Sequence, residues 1–226
     1  MTDALLIDLS PYCPQRPSCW PALADAGDPW AGVVLRGGNG LRDDGQWVRE
    51  HSAAIHDAGL PLGLYWYLRL RSDGAEQADR FADLIDEVQP TLLPIVDVEE
   101  GDGNADIVHR LGPERGRAHV EQVTRAFTAR ILERTGQTSI LYAGGWLRGI
   151  RPRELGCDLL WLAAYTSTLP RVWYEQDLDY EGRLWAWQYA GLDARGVHCE
   201  LAGYPRTTPI GDADISAVVG GLERAR

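Results

Sequence analysis

Asp97 and Glu99 stand two positions apart at the end of an apolar run, Pro94-Ile95-Val96-Asp97-Val98-Glu99-Glu100. On an extended chain, residues two apart project to the same side with Cα atoms roughly 6.5–7 Å apart. Their carboxyls can then converge to ~5–5.5 Å, the separation used in glycoside cleavage with retention. Crowding like charges raises the pKa of at least one, leaving a protonated acid beside an ionised partner. Two more carboxylates occupy comparable places: Asp8 in Leu6-Ile7-Asp8-Leu9-Ser10, and Asp214 in Asp212-Ala213-Asp214-Ile215. A carboxylate at the edge of an apolar run is costly to desolvate without partners, so four of them point to one pocket rather than to solubility. Glu100 falls on the opposite face of an extended strand from Glu99, which makes Glu99 the preferred acid.

Aromatic residues give a second signal. Tyr65-Trp66-Tyr67, Tyr142, Trp161, Tyr165 and Trp185-Ala186-Trp187-Gln188-Tyr189 lie on or just after apolar runs, and Tyr plus Trp outnumber Phe eighteen to two. Flat rings stack on the apolar faces of sugars, while phenol and amide groups hydrogen-bond hydroxyls, acetamido groups or carboxylates.

The elements that must position these groups are eight strand-like runs: Ala4–Asp8, Gly32–Arg36, Pro61–Leu68, Thr91–Asp97, Thr138–Ala143, Leu159–Ala164, Leu184–Tyr189 and Ala213–Ile215. Most are apolar throughout, as in a parallel sheet covered on both faces. Helical patterns fall at Pro21–Ala26, Trp47–Ala58, Gly74–Val88 and Arg117–Arg134. Asp73 and Glu76 form a capping signal for the third, and Gly136 stops the fourth. Thr166–Arg183 and Ala190–Asp212 show no apolar stripe and read as loop. Alternating units followed by bare strands predict a degenerate (β/α)5β3, TIM-like barrel in a single domain over 1–226, with an open doubly wound sheet as the alternative. Reactive groups then belong at the C-terminal strand ends.

Several chemistries are excluded. The 226 residues carry a net charge of −11, which repels phosphate backbones, so nucleic acid is not an expected partner. All basic residues are Arg, which removes Schiff-base and phosphate-loop lysines. Asp43 stands where a dinucleotide fingerprint after Gly38-Asn39-Gly40 needs glycine, and no Gly-x-Ser-x-Gly, His-Glu-x-x-His or Cys-x-x-Cys occurs, so neither cofactor nor metal is expected. Apolar runs fall short of the ~18 residues of a membrane span. The N-terminus lacks a secretory signal pattern. Cys13 and Cys19 are expected as thiols before any release from the cell.

The chain resembles the glycoside hydrolase family 25 lysozymes, the Chalaropsis-type N-acetylmuramidases, over nearly its whole length. Ile7-Asp8-Leu9-Ser10 is similar to the family's Ile-Asp-Val-Ser, Val33 to Gly40 to its second-strand motif, and Gly59-Leu60-Pro61-Leu62-Gly63-Leu64-Tyr65 to its Gly-Leu-Pro-x-Gly-x-Tyr. Gln77-Ala78-Asp79-Arg80-Phe81, Asp97-Val98-Glu99, Leu160 to Tyr165, Trp187-Gln188-Tyr189 and Asp214-Ile215 follow in family order. The loop Pro11–Pro29 replaces the family's Trp-Gln-Gly region, and Trp66 stands where the family commonly has His.

The resemblance implies hydrolysis, with net retention, of the β-1,4 bond between N-acetylmuramic acid and N-acetylglucosamine in peptidoglycan. It implies Glu99 as general acid and Asp97 as nucleophile or as holder of the substrate's acetamido group. Asp8 and Asp214 complete the acidic cluster, and Tyr65, Tyr142, Trp161, Tyr165 and Trp187 line the groove. No cofactor is implied, and a monomer acting on glycan strands is expected. A wall substrate without an export signal suggests a phage endolysin made in the cytoplasm. The rival is a non-catalytic sugar-binding or structural barrel of a phage particle.

Overall fold

Each apolar run bounded by turn residues becomes a strand, and the connections decide how the strands meet. In chain order the elements are β1 (Leu5–Leu9), α1 (Trp20–Ala26), β2 (Trp30–Asn39), β3 (Arg42–Asp43), α2 (Gly45–Asp57), β4 (Leu62–Tyr67), α3 (Gly74–Val88), β5 (Ile95–Asp97), α4 (Asn104–Leu111), α5 (Pro113–Thr135), β6 (Ser139–Ala143), β7 (Cys157–Ala163), β8 (Leu184–Asp193), β9 (Gly196–His198) and β10 (Asp214–Val218). The computed structural model describes residues 4–147, 151–165, 184–193, 196–198, 208–210 and 213–219. Thr166–Arg183 lies outside the described residues, as does much of Ala190–Asp212.

Strands β1, β2, β4, β5, β6, β7, β8 and β10 pair in that order, and β10 pairs back to β1, closing an eight-stranded barrel. The pairings from β1 through β8 are parallel, whereas β10 is antiparallel to both β8 and β1. The degenerate barrel expected from the sequence is therefore present, and closure removes the open-sheet alternative. β3 and β9 are short antiparallel partners of β2 and β8.

Strand alternation sorts the side chains into layers. Leu6, Val34, Ile95, Ile140, Trp161 and Val218 fill the barrel interior. Ile7, Val33, Leu64, Val96, Leu141 and Leu160 face outward and pack under the helices with Phe81, Phe127 and Ile131. Leu5, Trp187, Tyr189, Ile215 and Ala217 form a third buried cluster. It covers β1, β8 and β10, where bulky rings take the place a helix has elsewhere.

The helices follow local signals. Asp73 Oδ1 accepts a 2.9 Å hydrogen bond from Glu76 N at the start of α3, and α5 ends on Gly136 in the left-handed conformation. Helix α4 was not legible as a separate element, and α5 begins at Pro113 rather than at Arg117. In α4, Ile107 and Val108 are too few to make a stripe, and Gly112-Pro113 breaks the pattern. Between β6 and β7 the chain crosses in short 3-10 turns, Gly145–Leu147 and Pro152–Leu155. Among the described residues, no helix is long and apolar enough to cross a membrane.

Candidate active site

In a ring of parallel strands the C-terminal ends share one mouth, and the antiparallel β10 delivers its first residue there instead of its last. Asp214 opens β10 and is the direct cross-strand partner of Asp8 near the end of β1. The sequence placed Asp214 at this mouth but did not reveal the reversed direction that brings it there. Asp97 ends β5 in register with Tyr67 of β4 and Tyr142 of β6, and Glu99 follows two residues later. Asp8, Asp97, Glu99 and Asp214 line a cavity of about 160 Å³ together with Tyr65, Tyr142, Trp161 and Tyr165.

Burial dominates the electrostatics of this pocket. Asp8 is pushed well above the usual carboxylate range by desolvation and by the charge of Asp214, against the opposing hydrogen bond from Gln188. Asp97 is likewise raised by burial, then by Glu99 and Asp8, while the Arg36 guanidinium pulls it down. Glu99 is pushed up from 4.5 to about 7 by burial and by Glu100 and Asp214, with a hydrogen bond from Tyr142 acting the other way. Like charges directly across a strand pair are destabilising, so the cluster is retained at a cost to stability. Asp97 Oδ1 is buried with no hydrogen-bond partner among the described residues. When Glu99 carries the proton, its repulsion of Asp97 disappears and Arg36 favours the Asp97 anion.

Of three positioning groups, Arg36 and Asn104 were missed in the sequence, whereas the Gln188 amide was read there as able to reach sugar groups or carboxylates. Gln188 is fully buried; its Oε1 accepts from Tyr142 Oη at 2.6 Å and Tyr165 Oη at 2.8 Å, and its Nε2 donates to Asp8 Oδ2 at 3.0 Å. Its place between Trp187 and Tyr189 made it look like one more groove residue. Arg36 lies on the inner face of β2, held by Asp44 through Nε at 2.6 Å and Nη2 at 3.2 Å, with its guanidinium 5.0 Å from the Tyr12 ring centre. A bulge at Gly37 follows it, and a Cβ on the next residue, Gly38, would stand 2.4 Å from Arg42 O and 2.5 Å from the Trp66 ring.

Asn104, also buried, anchors the loop that carries the acid. Its Nδ2 donates to Glu99 O and Leu68 O, both at 2.9 Å, and its Oδ1 accepts from Leu70 N at 2.9 Å. An Asn after Gly103 reads as turn chemistry, which hid this role. Asn104→Ala orphans these buried backbone groups and is expected to cost about 1–3 kcal/mol of stability. Loss of the anchor on Glu99 is expected to lower kcat roughly tenfold or more as well. Urea unfolding and kcat at saturating substrate check both effects.

Trp187 is a correction. It does not line the cavity: it is buried on the outer face of β8, in edge contact with Tyr189 at 6.0 Å, and donates from Nε1 to Ala164 O at 2.6 Å. With Gln188 turned inward, alternation forces its neighbours outward. Trp161 does line the cavity, locked by a 2.8 Å bond from Nε1 to Ser216 Oγ and an edge contact with Tyr142 at 4.9 Å. Cys13, Cys19 and Cys157 are thiols. Among the described residues, no group of three or more His, Cys, Asp or Glu side chains is arranged to hold a metal ion.

Comparison with known proteins agrees with this fold. The family described as glycosyl hydrolases family 25 matches residues 7–194. No curated protein sequence matches the chain. Among solved structures, a family GH25 lysozyme from Aspergillus fumigatus superposes with a TM-score of 0.70 at 19% identity, covering 99% of this chain and 97% of that one. A family 25 glycosyl hydrolase from Bacillus anthracis gives 0.68 at 18% identity, with coverage of 99% and 92%. A bacterial lysozyme from Streptomyces coelicolor gives 0.68 at 18%, with coverage of 100% and 96%. At these identities the structural likeness speaks for the fold.

Proposed function

The chain belongs to the glycosyl hydrolases of family 25, and from that membership we propose that it hydrolyses peptidoglycan as a muramidase, cleaving the β-1,4 bond from N-acetylmuramic acid to N-acetylglucosamine with net retention. The observation that carries the reading is the convergence of four carboxylates on one cavity, Asp8 and Asp97 buried and Glu99 and Asp214 partly exposed, with Glu99 raised to about 7. A carboxylic acid still protonated near neutrality can give its proton to the glycosidic oxygen as the bond to C1 breaks, and the second sugar leaves with a new hydroxyl. Positive charge grows at C1 and is met by the Asp97 anion. Asp97 either bonds to C1 or orients the acetamido oxygen that does so. Glu99, now ionised, takes a proton from water as that water bonds to C1 and displaces the Asp97 carboxylate or the acetamido oxygen held there, and the acid is restored.

Tyr65, Tyr142, Trp161 and Tyr165 wall the sugar that carries C1, and Gln188 fixes the phenols of two of them. The test is incubation with purified peptidoglycan followed by borohydride reduction. A muramidase yields muramitol ends, and retention yields the β-anomer first by proton NMR. Products with reduced glucosamine ends would replace the bond assignment, and binding without any new reducing end would support a non-catalytic barrel instead.

The pH dependence follows with a definite sign. The acid works only while protonated, so activity is expected to fall above about pH 7, approaching tenfold per pH unit. The midpoint belongs to the coupled cluster rather than to one residue. Initial rates of reducing-end release between pH 4 and 9 measure it. A rate that keeps rising through pH 8 would contradict Glu99 as the donor.

A further inference from the structure

The loop that carries the general acid also walls a cavity away from the four carboxylates. Glu99 faces the carboxylate pocket, whereas Asp102 and Gly103 line a separate cavity of about 540 Å³, completed by Arg71 from the loop after β4 and by Asp106, Ile107 and Arg110 of α4. Three residues of chain span at most about 10 Å, so Asp102 stands within that reach of Glu99.

The charges in this cavity are not balanced from within. Asp102 is already taken: Arg69 pairs with it at 2.5 Å, and Asn39 Nδ2 donates to it at 2.9 Å. Arg71 and Arg110 are exposed and form no ion pair among the described residues. Asp106 precedes Arg110 by one helical turn, yet Arg110 Nε donates instead to the Asp106 backbone carbonyl at 3.3 Å. Desolvation, and after it the charge of Arg71, holds the Arg69 guanidinium below its usual value, so an anion beside Arg71 would relieve a repulsion present in the free protein. In a chain of net charge −11, two guanidiniums without carboxylates in one cavity make a local anion site.

The muramidase reading, on which this inference rests, supplies the anion. Muramic acid carries a peptide on its lactyl group, and that peptide has free carboxylates within a few residues of the sugar. A strand placed with one glycosidic bond at Glu99 brings such a peptide to the far end of the acid loop. We propose that the cavity between the acid loop and α4 binds a carboxylate of the peptide stem, with Arg71 and Arg110 donating charge-assisted hydrogen bonds to it and the half-buried Ile107 as apolar floor. The enzyme then reads the peptide as well as cutting the glycan.

The experiment uses peptidoglycan strands in three forms: with stems intact, with stems removed by an N-acetylmuramoyl-L-alanine amidase, and with stem carboxylates converted to amides by carbodiimide and ammonia. Wild type is expected to show kcat/KM about 5–20-fold higher on intact strands than on either other form, the range for two partly exposed charge-assisted contacts. Added salt should erode that preference. The double variant Arg71→Gln, Arg110→Gln should lose the preference, falling by the same factor on intact strands and changing less than twofold on stripped ones. Both side chains are exposed, so its Tm should match wild type. Equal wild-type rates on the three forms, amidated strands cut as fast as intact ones, or a double variant equally impaired on intact and stripped strands would overturn the carboxylate site. A wild type that releases no new reducing end from any form would instead overturn the muramidase reading.

Discussion

Replacing Glu99 by Gln is expected to lower kcat on peptidoglycan by about 10²–10⁴, the contribution of a positioned general acid. The amide keeps the shape and the contact with Tyr142 but has no proton to give. An aryl glycoside, whose leaving group departs without protonation, should lose far less, and that contrast separates lost acid catalysis from a distorted pocket.

The same variant carries a stability signature. Because the folded-state value of Glu99 lies above its ordinary 4.5, native protein holds the proton more tightly than unfolded chain does. Its contribution is fully present below pH 4.5 and is lost as pH rises through about 7. The displacement from 4.5 to about 7 corresponds to on the order of 3 kcal/mol. Glu99→Gln removes this dependence, so relative to wild type it should gain stability between pH 4 and pH 8, raising Tm by several degrees at the upper end. Thermal unfolding of both proteins at the two pH values measures the gain, and a constant difference would contradict a partly buried, proton-holding Glu99. A substitution that destroys activity while stabilising the fold marks a group kept for chemistry.

The second large effect is at Asp97. Asp97→Asn preserves volume but removes the anion that meets positive charge at C1, and kcat is expected to fall about 10²–10³. KM should change little, because the lost interaction strengthens in the transition state rather than in the bound substrate. Unlike Glu99→Gln, this variant should be impaired on the aryl glycoside as much as on peptidoglycan, since both reactions develop charge at C1. Parallel kinetics on the two substrates tell the roles apart, and an Asp97→Asn enzyme that spares the aryl glycoside would reassign the residue.

Legibility in the sequence followed the strength of local pattern. Apolar runs ending in Asp8 and Asp97, and the run that Asp214 opens, exposed the strands and the acids together, because a carboxylate at the edge of a buried run is too costly to desolvate unless the site uses it. Chain direction in the last strand was hidden: five residues, Asp214–Val218, look the same read either way, and only pairing with β1 and β8 fixes their sense. Trp187 was misplaced because aromatic content near a strand end says nothing of parity, which the inward Gln188 decides. Arg36 and Asn104 were silent for another reason. Each acts through a partner distant in sequence or on another segment, Asp44 and Glu99 with Leu68 and Leu70, and no spacing rule encodes such pairings.

The most direct measurement is the ionisation of Glu99 itself. Carbon-13 NMR of the glutamate side-chain carboxyls, with the Glu99 resonance assigned by comparison with Glu99→Gln, should show that resonance titrating near pH 7. In Asp214→Asn, with one neighbouring charge removed, that midpoint should move down. A Glu99 carboxyl titrating near 4.5, and indifferent to Asp214, would mean that the four acids do not share a pocket electrostatically, and the mechanism built on their convergence would fall.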